Sequence, residues 1–395
     1  SEMCIRDSYS FPWIYDIEDV IDIANKHDEI VVANRGGYTV LDYSVAFVDT
    51  FPPINYNLTI EEIYEAKVMR EFRGLVFSNK TGFIIRRPYH KFFNYGEREE
   101  TSVVNPKLRH TILDKLDGSM ISPFIHENEI IWGTRLVAEE FHKTVKNLVG
   151  VNHERLVRDM NSLERTCMFE YIGPENRIVI GYDDPNLVLT GMRDIFNGDY
   201  IPYHQLKAYG DMYGVPVVDR IVFNGDIESL SEITSTLTSE EGYVICFEDG
   251  HRIKMKSDWY VQLHKVKSLF TFEKDVVRLI LDGQLDDLLP VLDDADKEKI
   301  VAYSEKLHQE VERLAKTYCE LVTELQKTST TKKDFALNNK NNNGTMKGFV
   351  FAFLEKDTVT LHDATEYLLD KIRKNTSSGP KWIEFKSNNG LELKW

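Results

Sequence analysis

The sequence predicts an α+β protein: antiparallel sheets with flanking helices, followed by an all-α C-terminal domain. Three observations lead there. Short apolar runs bounded by turn residues recur between Ile30 and Lys256, the pattern of successive strands. From Ser268 the pattern turns helical. Lys297–Lys327 carries Ile300, Tyr303, Leu307, Val311, Leu314, Tyr318, Leu321 and Leu325 at three- and four-residue steps. Finally, 395 residues at 42% hydrophobic content exceed one ordinary domain and suffice for packed cores. Domains are expected at 11–267 and 268–395.

In chain order, residues 1–10 show no periodicity and are set aside. Asp16–Lys26 is helix-like, and Ile30–Val32 and Tyr38–Leu41 are strand-like. Tyr43 follows and reads on its own as a half-buried strand tyrosine. Arg73–Phe77 and Phe83–Pro88 flank the turn Asn79–Gly82 as a hairpin. Lys91, beside Phe92 and Phe93, fits either a snorkelling surface lysine or a holder of a polyphosphate tail with Phe93 beneath a base. Lys115-Leu116-Asp117-Gly118-Ser119 lies between Ile112-Leu113 and the strand-like Met120–Ile125, which suggests a lysine held at a strand start.

Further strands are expected at Glu129–Arg135, Thr166–Ile172, Arg177–Ile180, Leu187–Leu189, Glu241–Phe247 and His251–Lys256. Helices are expected at Val137–Val149, His153–Leu163, His204–Tyr213 and Ile227–Leu237. Glu241–Phe247 is apolar on both faces and should be central. Arg252, Lys254 and Lys256 alternate onto one face, either a solvated cationic surface or a ligand site. Ser257 is a suitable N-cap for Asp258–Lys267. Beyond it come Phe272–Leu281, a short helix opened by Asp286-Asp287, the long amphipathic helix, a polar stretch Asn338–Gly344, and two closing helices, Met346–Leu354 and Leu361–Arg373.

The net charge of −16 disfavours a general nucleic-acid coat, but two cationic stretches stand out. Ala66–Tyr95 holds seven basic residues against one acid, and His251–Lys267 five against one. Both suit phosphate. The four cysteines are scattered without a C-x-x-C pair, so neither a zinc site nor a disulfide framework is indicated. No apolar run approaches a membrane span, and a reducing cytoplasm is expected.

Lys115, Glu170, Glu241, Lys254 and Lys256 lie on or beside separate strands, the layout of a site built across a sheet. By period two, Glu170 shares a face with Met168 and Ile172, where a carboxylate needs a partner, a ligand hydroxyl or a metal. A lysine amine with an ordinary pKa of ~10.4 is free in roughly one molecule in two thousand at neutral pH. Neighbouring cations lower that pKa and offset charge developing on a phosphate. A carboxylate such as Glu241 suits Mg²⁺.

These residues resemble the five nucleotide-binding motifs of the covalent nucleotidyltransferases, the DNA ligases, RNA ligases and mRNA capping enzymes. Lys115-Leu116-Asp117-Gly118 resembles the nucleophile motif. Trp132-Gly133-Thr134-Arg135 resembles the third, and Phe169-Glu170-Tyr171, Glu241–Val244 and Lys254-Met255-Lys256 those that follow. Arg73-Gly74, Arg87-Pro88, Lys91–Asn94, Asn176–Val179 and Lys256–Tyr260 with Leu263-His264 are similar to one branch, the phage tRNA-repair RNA ligase 1 family, over about residues 35–290. The resemblance implies a nucleotidyltransferase (ATP-grasp-like ligase) domain. It implies ATP, with AMP carried on Lys115, and Mg²⁺, with Mn²⁺ as an alternative. Tyr43, Arg73, Lys91, Phe93, Asp117, Gly118, Arg135, Glu170, Glu241, Lys254, Lys256 and Tyr260 would serve the nucleotide, and Asp286 and Glu241 the metal. Arg135 departs from the family's lysine, preserving charge but changing geometry.

The implied substrate is RNA with 5′-phosphate and 3′-hydroxyl ends, such as nicked tRNA. The implied protein is a monomer in the cytoplasm (the host's, for a phage protein). No G-x-x-x-x-G-K-[ST] loop is present, so a separate enzyme would heal the ends. A DNA ligase or capping enzyme would carry a C-terminal barrel of short strands, which the helical pattern opposes. A non-catalytic RNA-binding relative would be marked by loss of a motif lysine, and Lys115, Lys254 and Lys256 are all present.

Overall fold

The computed structural model describes residues 10–395 except 48, 55–56, 103, 105–107, 138, 330, 339, 341–343 and 354. Much of the expected polar stretch 338–344, and the end of the expected helix at Leu354, lie outside the described residues. The chain divides into two compact units, Ser1–Val261 and Gln262–Trp395. The division falls inside helix Asp258–Leu269, not at the change of composition at Ser268. The first turn of that helix is tied to the first unit. Ser257 Oγ accepts from the Tyr260 amide at 3.1 Å and donates to the Glu240 carbonyl at 2.8 Å.

Thirteen strands occur among the described residues: β1 Ile30–Asn34, β2 Tyr38–Tyr43, β3 Arg73–Ser78, β4 Ile84–Arg86, β5 Phe93–Asn94, β6 His110–Asp114, β7 Ser119–His126, β8 Glu129–Gly133, β9 Arg165–Ile172, β10 Asn186–Asp194, β11 Arg220–Ile221, β12 Gly242–Phe247 and β13 Arg252–Lys256. They form three sheets, ordered β1-β2-β3-β4, β10-β9-β7-β8 and β11-β6-β12-β13-β5. Pairing is antiparallel except for β5 on β13, which run parallel over two residue pairs. As expected from its two apolar faces, β12 is central.

Each sheet covers its own core. Leu41, Phe51, Phe72, Leu75 and Phe77 lie in the first, and Ile121, Trp132, Phe169, Leu189 and Met192 in the second. Ile112, Tyr243, Ile245, Ile253 and Met255 lie in the third. In the second unit, helix Asp294–Thr328 buries the expected stripe, with Val322 taking the place of the half-buried Leu321. Two helices there were not foreseen, Lys332–Asn338 and Gly379–Asn389. Among the described residues no helix is long and apolar enough to cross a membrane.

Two strand expectations fail. Arg177–Ile180 is a bend, because the amides of Val179 and Ile180 both donate to Asp117 Oδ2 at 2.7 Å and so leave any ladder. The strand expected to reach Arg135 ends at Gly133. The first unit also contains helix Ile60–Glu71, entered through a Thr59/Glu62 capping box.

Gly242 has φ of +133°, and a Cβ there would stand 2.0 Å from the Met255 carbonyl oxygen. Gly242→Ala is expected to destabilise the first unit by about 2–4 kcal/mol, from crowding plus backbone strain. A urea midpoint that moves without a change of slope would verify this; an unmoved midpoint would refute it.

Candidate active site

Lys115 stands where the chain crosses from the third sheet to the second. Its amide donates to the Gly242 carbonyl at 2.9 Å, extending β6 along β12. Four residues later β7 begins at Ser119. Asp117, in between, is buried and fully engaged. Beyond its two bonds to the 179–180 bend, its Oδ1 accepts from the Tyr260 hydroxyl at 2.6 Å, and its amide donates to the Tyr182 hydroxyl at 3.0 Å. A Cβ on Gly118 would meet the Tyr171 carbonyl oxygen at 2.2 Å. Ser119 Oγ donates to Asn176 Oδ1 at 3.0 Å, and Asn176 Nδ2 to the Tyr171 carbonyl at 2.7 Å. Asp117, Gly118 and Tyr260 were expected to touch the nucleotide. In this geometry Asp117 ties the turn after Lys115 to the 179–180 bend and to Tyr260, and Gly118 lets the turn pass close to Tyr171.

The lysine side chain reaches Glu241. Its Nζ lies 2.6 Å from Glu241 Oε1, and Lys256 Nζ lies 2.9 Å from the same oxygen. Glu241 is 2% exposed, and two ammonium groups compensate its burial. The β12–β13 register sets this up, pairing Gly242 with Lys256 and Val244 with Lys254. Lys254 lies 4.9 Å from the Phe92 ring centroid. Burial pushes the Lys254 amine well below its usual range, and the charges of Arg73, Lys91, Lys115 and Lys256 push the same way. Five cations from β3, β13, the turn after β6 and the segment before β5 thus converge.

Glu170, on β9 opposite Met120 of β7, faces this cluster. Burial pushes its carboxyl up to about 7, with Lys115 and Arg73 opposing and Glu241 and Asp117 adding to the rise. A carboxyl raised by folding contributes stability that is complete below its unfolded value and lost as pH rises through about 7. Glu170→Gln should therefore raise the melting temperature relative to wild type at pH 8 and leave it unchanged at pH 4. Equal shifts at both pH values would refute the assignment.

On the first sheet, Arg73 Nη1 lies 3.3 Å from Met120 Sδ. The Tyr43 ring has Arg135 at 4.3 Å and Lys91 at 5.2 Å from its centroid. Phe93 departs from expectation. It is 3% exposed in the first core, edge-on to Phe51, with the Arg98 guanidinium 3.8 Å from its ring centroid. That ring has little surface for a base. Asp286 is exposed on the short helix Leu285–Leu288 of the second unit.

The cationic stretch 66–95 also divides. Arg73 and Lys91 belong to the site, whereas Arg70, Arg86 and Arg87 are buried structural groups. Arg86 donates to the carbonyls of Gly74, Ser122, Thr134 and Arg135 at 2.7–3.1 Å. Likewise Arg252, expected on a face either solvated or ligand-binding, is buried beside Cys246, with its guanidinium 3.9 Å from the Tyr200 ring centroid. Sequence reasoning missed Asp42, Met120, Phe92 and Tyr182. Only Asp42 carried a signal, as a carboxylate inside the strand run Thr39–Tyr43.

A lysine amine seated on a buried carboxylate, beside further cations on packed antiparallel sheets, is an arrangement whose charge suits a polyanion. Residues 71–262 match the family model described as RNA ligase. Over these residues, just under half of the chain, it is similar to the RNA ligase family, and phage proteins named RNA ligase 1 and RNA ligase are among its relatives. A protein of Thermovibrio ammonificans is 28% identical over 290 residues, covering 70% of this chain and 73% of that protein. RNA ligase 1 of Bacteriophage TS2126 is 25% identical over 262 residues, covering 60% of this chain and 62% of the phage protein. RNA ligase of Rhodothermus phage RM378 is 23% identical over 363 residues, covering 74% and 82%. Among solved structures, an archaeal ATP-dependent RNA ligase is similar with a TM-score of 0.47 and 14% identity, over 75% of this chain and 79% of that one.

Proposed function

We propose that the chain is an ATP-dependent RNA ligase that works through Lys115. The observation that carries this reading is the Lys115 ammonium held 2.6 Å from Glu241, which it shares with Lys256, in a cluster where Arg73, Lys91, Lys115 and Lys256 surround Lys254. In the first step Lys115 Nζ, having lost its proton, attacks the α-phosphorus of ATP. An N–P bond forms, the bond to the bridging oxygen breaks, and pyrophosphate leaves. The surrounding cations offset charge on the triphosphate as it departs. In the second step a 5′-phosphate oxygen of RNA attacks the lysyl-AMP phosphorus, the N–P bond breaks, and the amine is regenerated. In the third, a 3′-hydroxyl attacks the activated 5′-phosphate and AMP leaves.

Among the described residues no three His, Cys, Asp or Glu side chains converge as a metal cage. That donor set suits Mg²⁺ delivered on the triphosphate, with Glu241 as a single protein carboxylate. Bound there it would neutralise phosphate charge. Asp286 is retained as a second candidate ligand. The expected RNA is a broken tRNA with a 5′-phosphate and a 3′-hydroxyl, supplied by a separate end-healing enzyme in the same cytoplasm.

The test is the intact mass of the full chain after incubation with ATP and Mg²⁺, followed by addition of 5′-phosphorylated RNA. A covalent AMP adduct that RNA then discharges into joined product supports the reading; no adduct overturns it. Residues 268–395 are proposed to choose the RNA. A chain ending near Asp294 should keep adduct formation and lose preference for nicked tRNA over an unstructured oligonucleotide. An unchanged preference ratio would sink that role.

A further inference from the structure

Asp42 and Arg135 form a pair that the reaction described above does not use. Asp42 is 0% exposed at the end of β2, where its register partner is Arg73. Its Oδ1 lies 3.4 Å from Arg135 Nη1. Neither Asp42 oxygen completes a hydrogen bond, and neither does the buried Nη1. The groups facing the carboxylate are the guanidinium groups of Arg135, Arg73 and Arg86 and the Tyr43 amide. Burial outweighs them and pushes the carboxyl up to about 6. Arg135 itself follows β8 in an irregular turn. Its backbone is fixed by Arg86, whose Nη2 donates to the Arg135 carbonyl at 2.7 Å. Its side chain is one-third exposed and lies over Tyr43, whose ring also has Lys91 beside it.

A carboxylate with no exposed surface is costly unless it does something for the group it faces. Here it draws one end of a planar, five-donor guanidinium inward. The remaining N–H groups are left at the partly exposed end, among the cations proposed to receive the triphosphate. A lysine at the same position would offer a point charge with no fork to orient.

We propose that Asp42 is a positioning residue for the nucleotide: it holds the Arg135 guanidinium over Tyr43 so that its outer N–H groups meet the terminal phosphates of ATP. This rests on the reading of the site as an ATP site. It makes Asp42 and Arg135 one unit, acting on triphosphate binding rather than on attack by Lys115.

The test follows lysyl-AMP formation against ATP concentration in the full chain, for wild type, Asp42→Asn, Arg135→Lys and the double variant. Each single change should raise KM about tenfold through loss of an oriented, charge-assisted contact, with the loss falling on KM rather than kcat. The double variant should be no worse than the weaker single one, because the two residues act together. In wild type KM should rise as pH falls through about 6, where Asp42 becomes neutral, and that rise should vanish in Asp42→Asn. Wild-type KM in either single variant, or multiplying losses in the double, overturns the inference while the ligase reading stands. Absence of an adduct in wild type overturns both. If Asp42→Asn does not fold, Arg135→Lys, at a partly exposed position, decides the question through its own KM.

Discussion

Lys115→Ala should reduce the AMP adduct to background and leave the fold in place. The side chain is 21% exposed, so truncation opens little interior. Glu241 would keep Lys256 at 2.9 Å, so the carboxylate is not stranded, and the expected cost to stability is about 1 kcal/mol. Lys115→Arg should fail just as fully, because a guanidinium keeps charge but gives up no proton to become a nucleophile. Supplied with RNA that already carries a 5′-adenylate, both variants should still join ends, since that last step does not use the amine. The decisive measurement is label from α-labelled ATP retained on denatured protein. Label on Lys115→Ala would place the nucleophile elsewhere.

Glu71→Gln should cause the largest loss of stability of any single change considered. Glu71 is 2% exposed and clasps two wholly buried arginines. Arg193 donates to both of its oxygens at 2.7 Å, and Arg87 Nε and Nη2 approach at 3.2 and 3.1 Å. Without the carboxylate, two guanidinium groups face each other with no counter-charge, and about 3–5 kcal/mol is lost. For a unit of this size that is a fall of roughly 10 °C in melting temperature. Burial raises the Glu71 carboxyl, but Arg193 and Arg87 outweigh it and hold the group below its usual range. The stabilisation is therefore present above the ordinary carboxylate range and lost as pH falls through the lowered value. Wild type and Glu71→Gln should converge in strong acid and diverge at neutral pH. A constant difference across that span would show that the ion pairs are not its source.

The same network explains much of what the sequence hid. Helix Ile60–Glu71 was legible only in its Thr59/Glu62 cap. Its final turn buries Arg70 and Glu71, so polar residues sit where an apolar stripe would be sought. Arg86 and Arg87 were counted in a cationic stretch suited to phosphate because charge is visible in a sequence and its burial is not. The bend at 177–180 looked like a strand because the apolar run was visible and the carboxylate that captures its amides, more than sixty residues earlier, was not. Helix Gly379–Asn389 had readable ends, a Ser378 cap, Pro380 in the first turn and Gly390 beyond the last, but only a weak periodic stripe. The strands of the three sheets were largely legible, because period-two patterning and turn residues act locally. So were Lys115, Glu170, Glu241, Lys254 and Lys256. Asp42 was overlooked because its meaning depends on Arg135, which reaches it from the turn after β8.

The clamp on Asp117 also bears on when the protein becomes competent during its own synthesis. The turn that carries Lys115 is fixed by amides 62 and 63 residues later and by a hydroxyl 143 residues later. Contacts so distant in sequence form only after the intervening chain exists, and they close slowly. A nascent chain that has passed Lys115 but not Tyr260 therefore exposes the lysine without its geometry. An unfinished polypeptide released from the ribosome would be inert toward ATP instead of a partial enzyme that consumes nucleotide without joining ends.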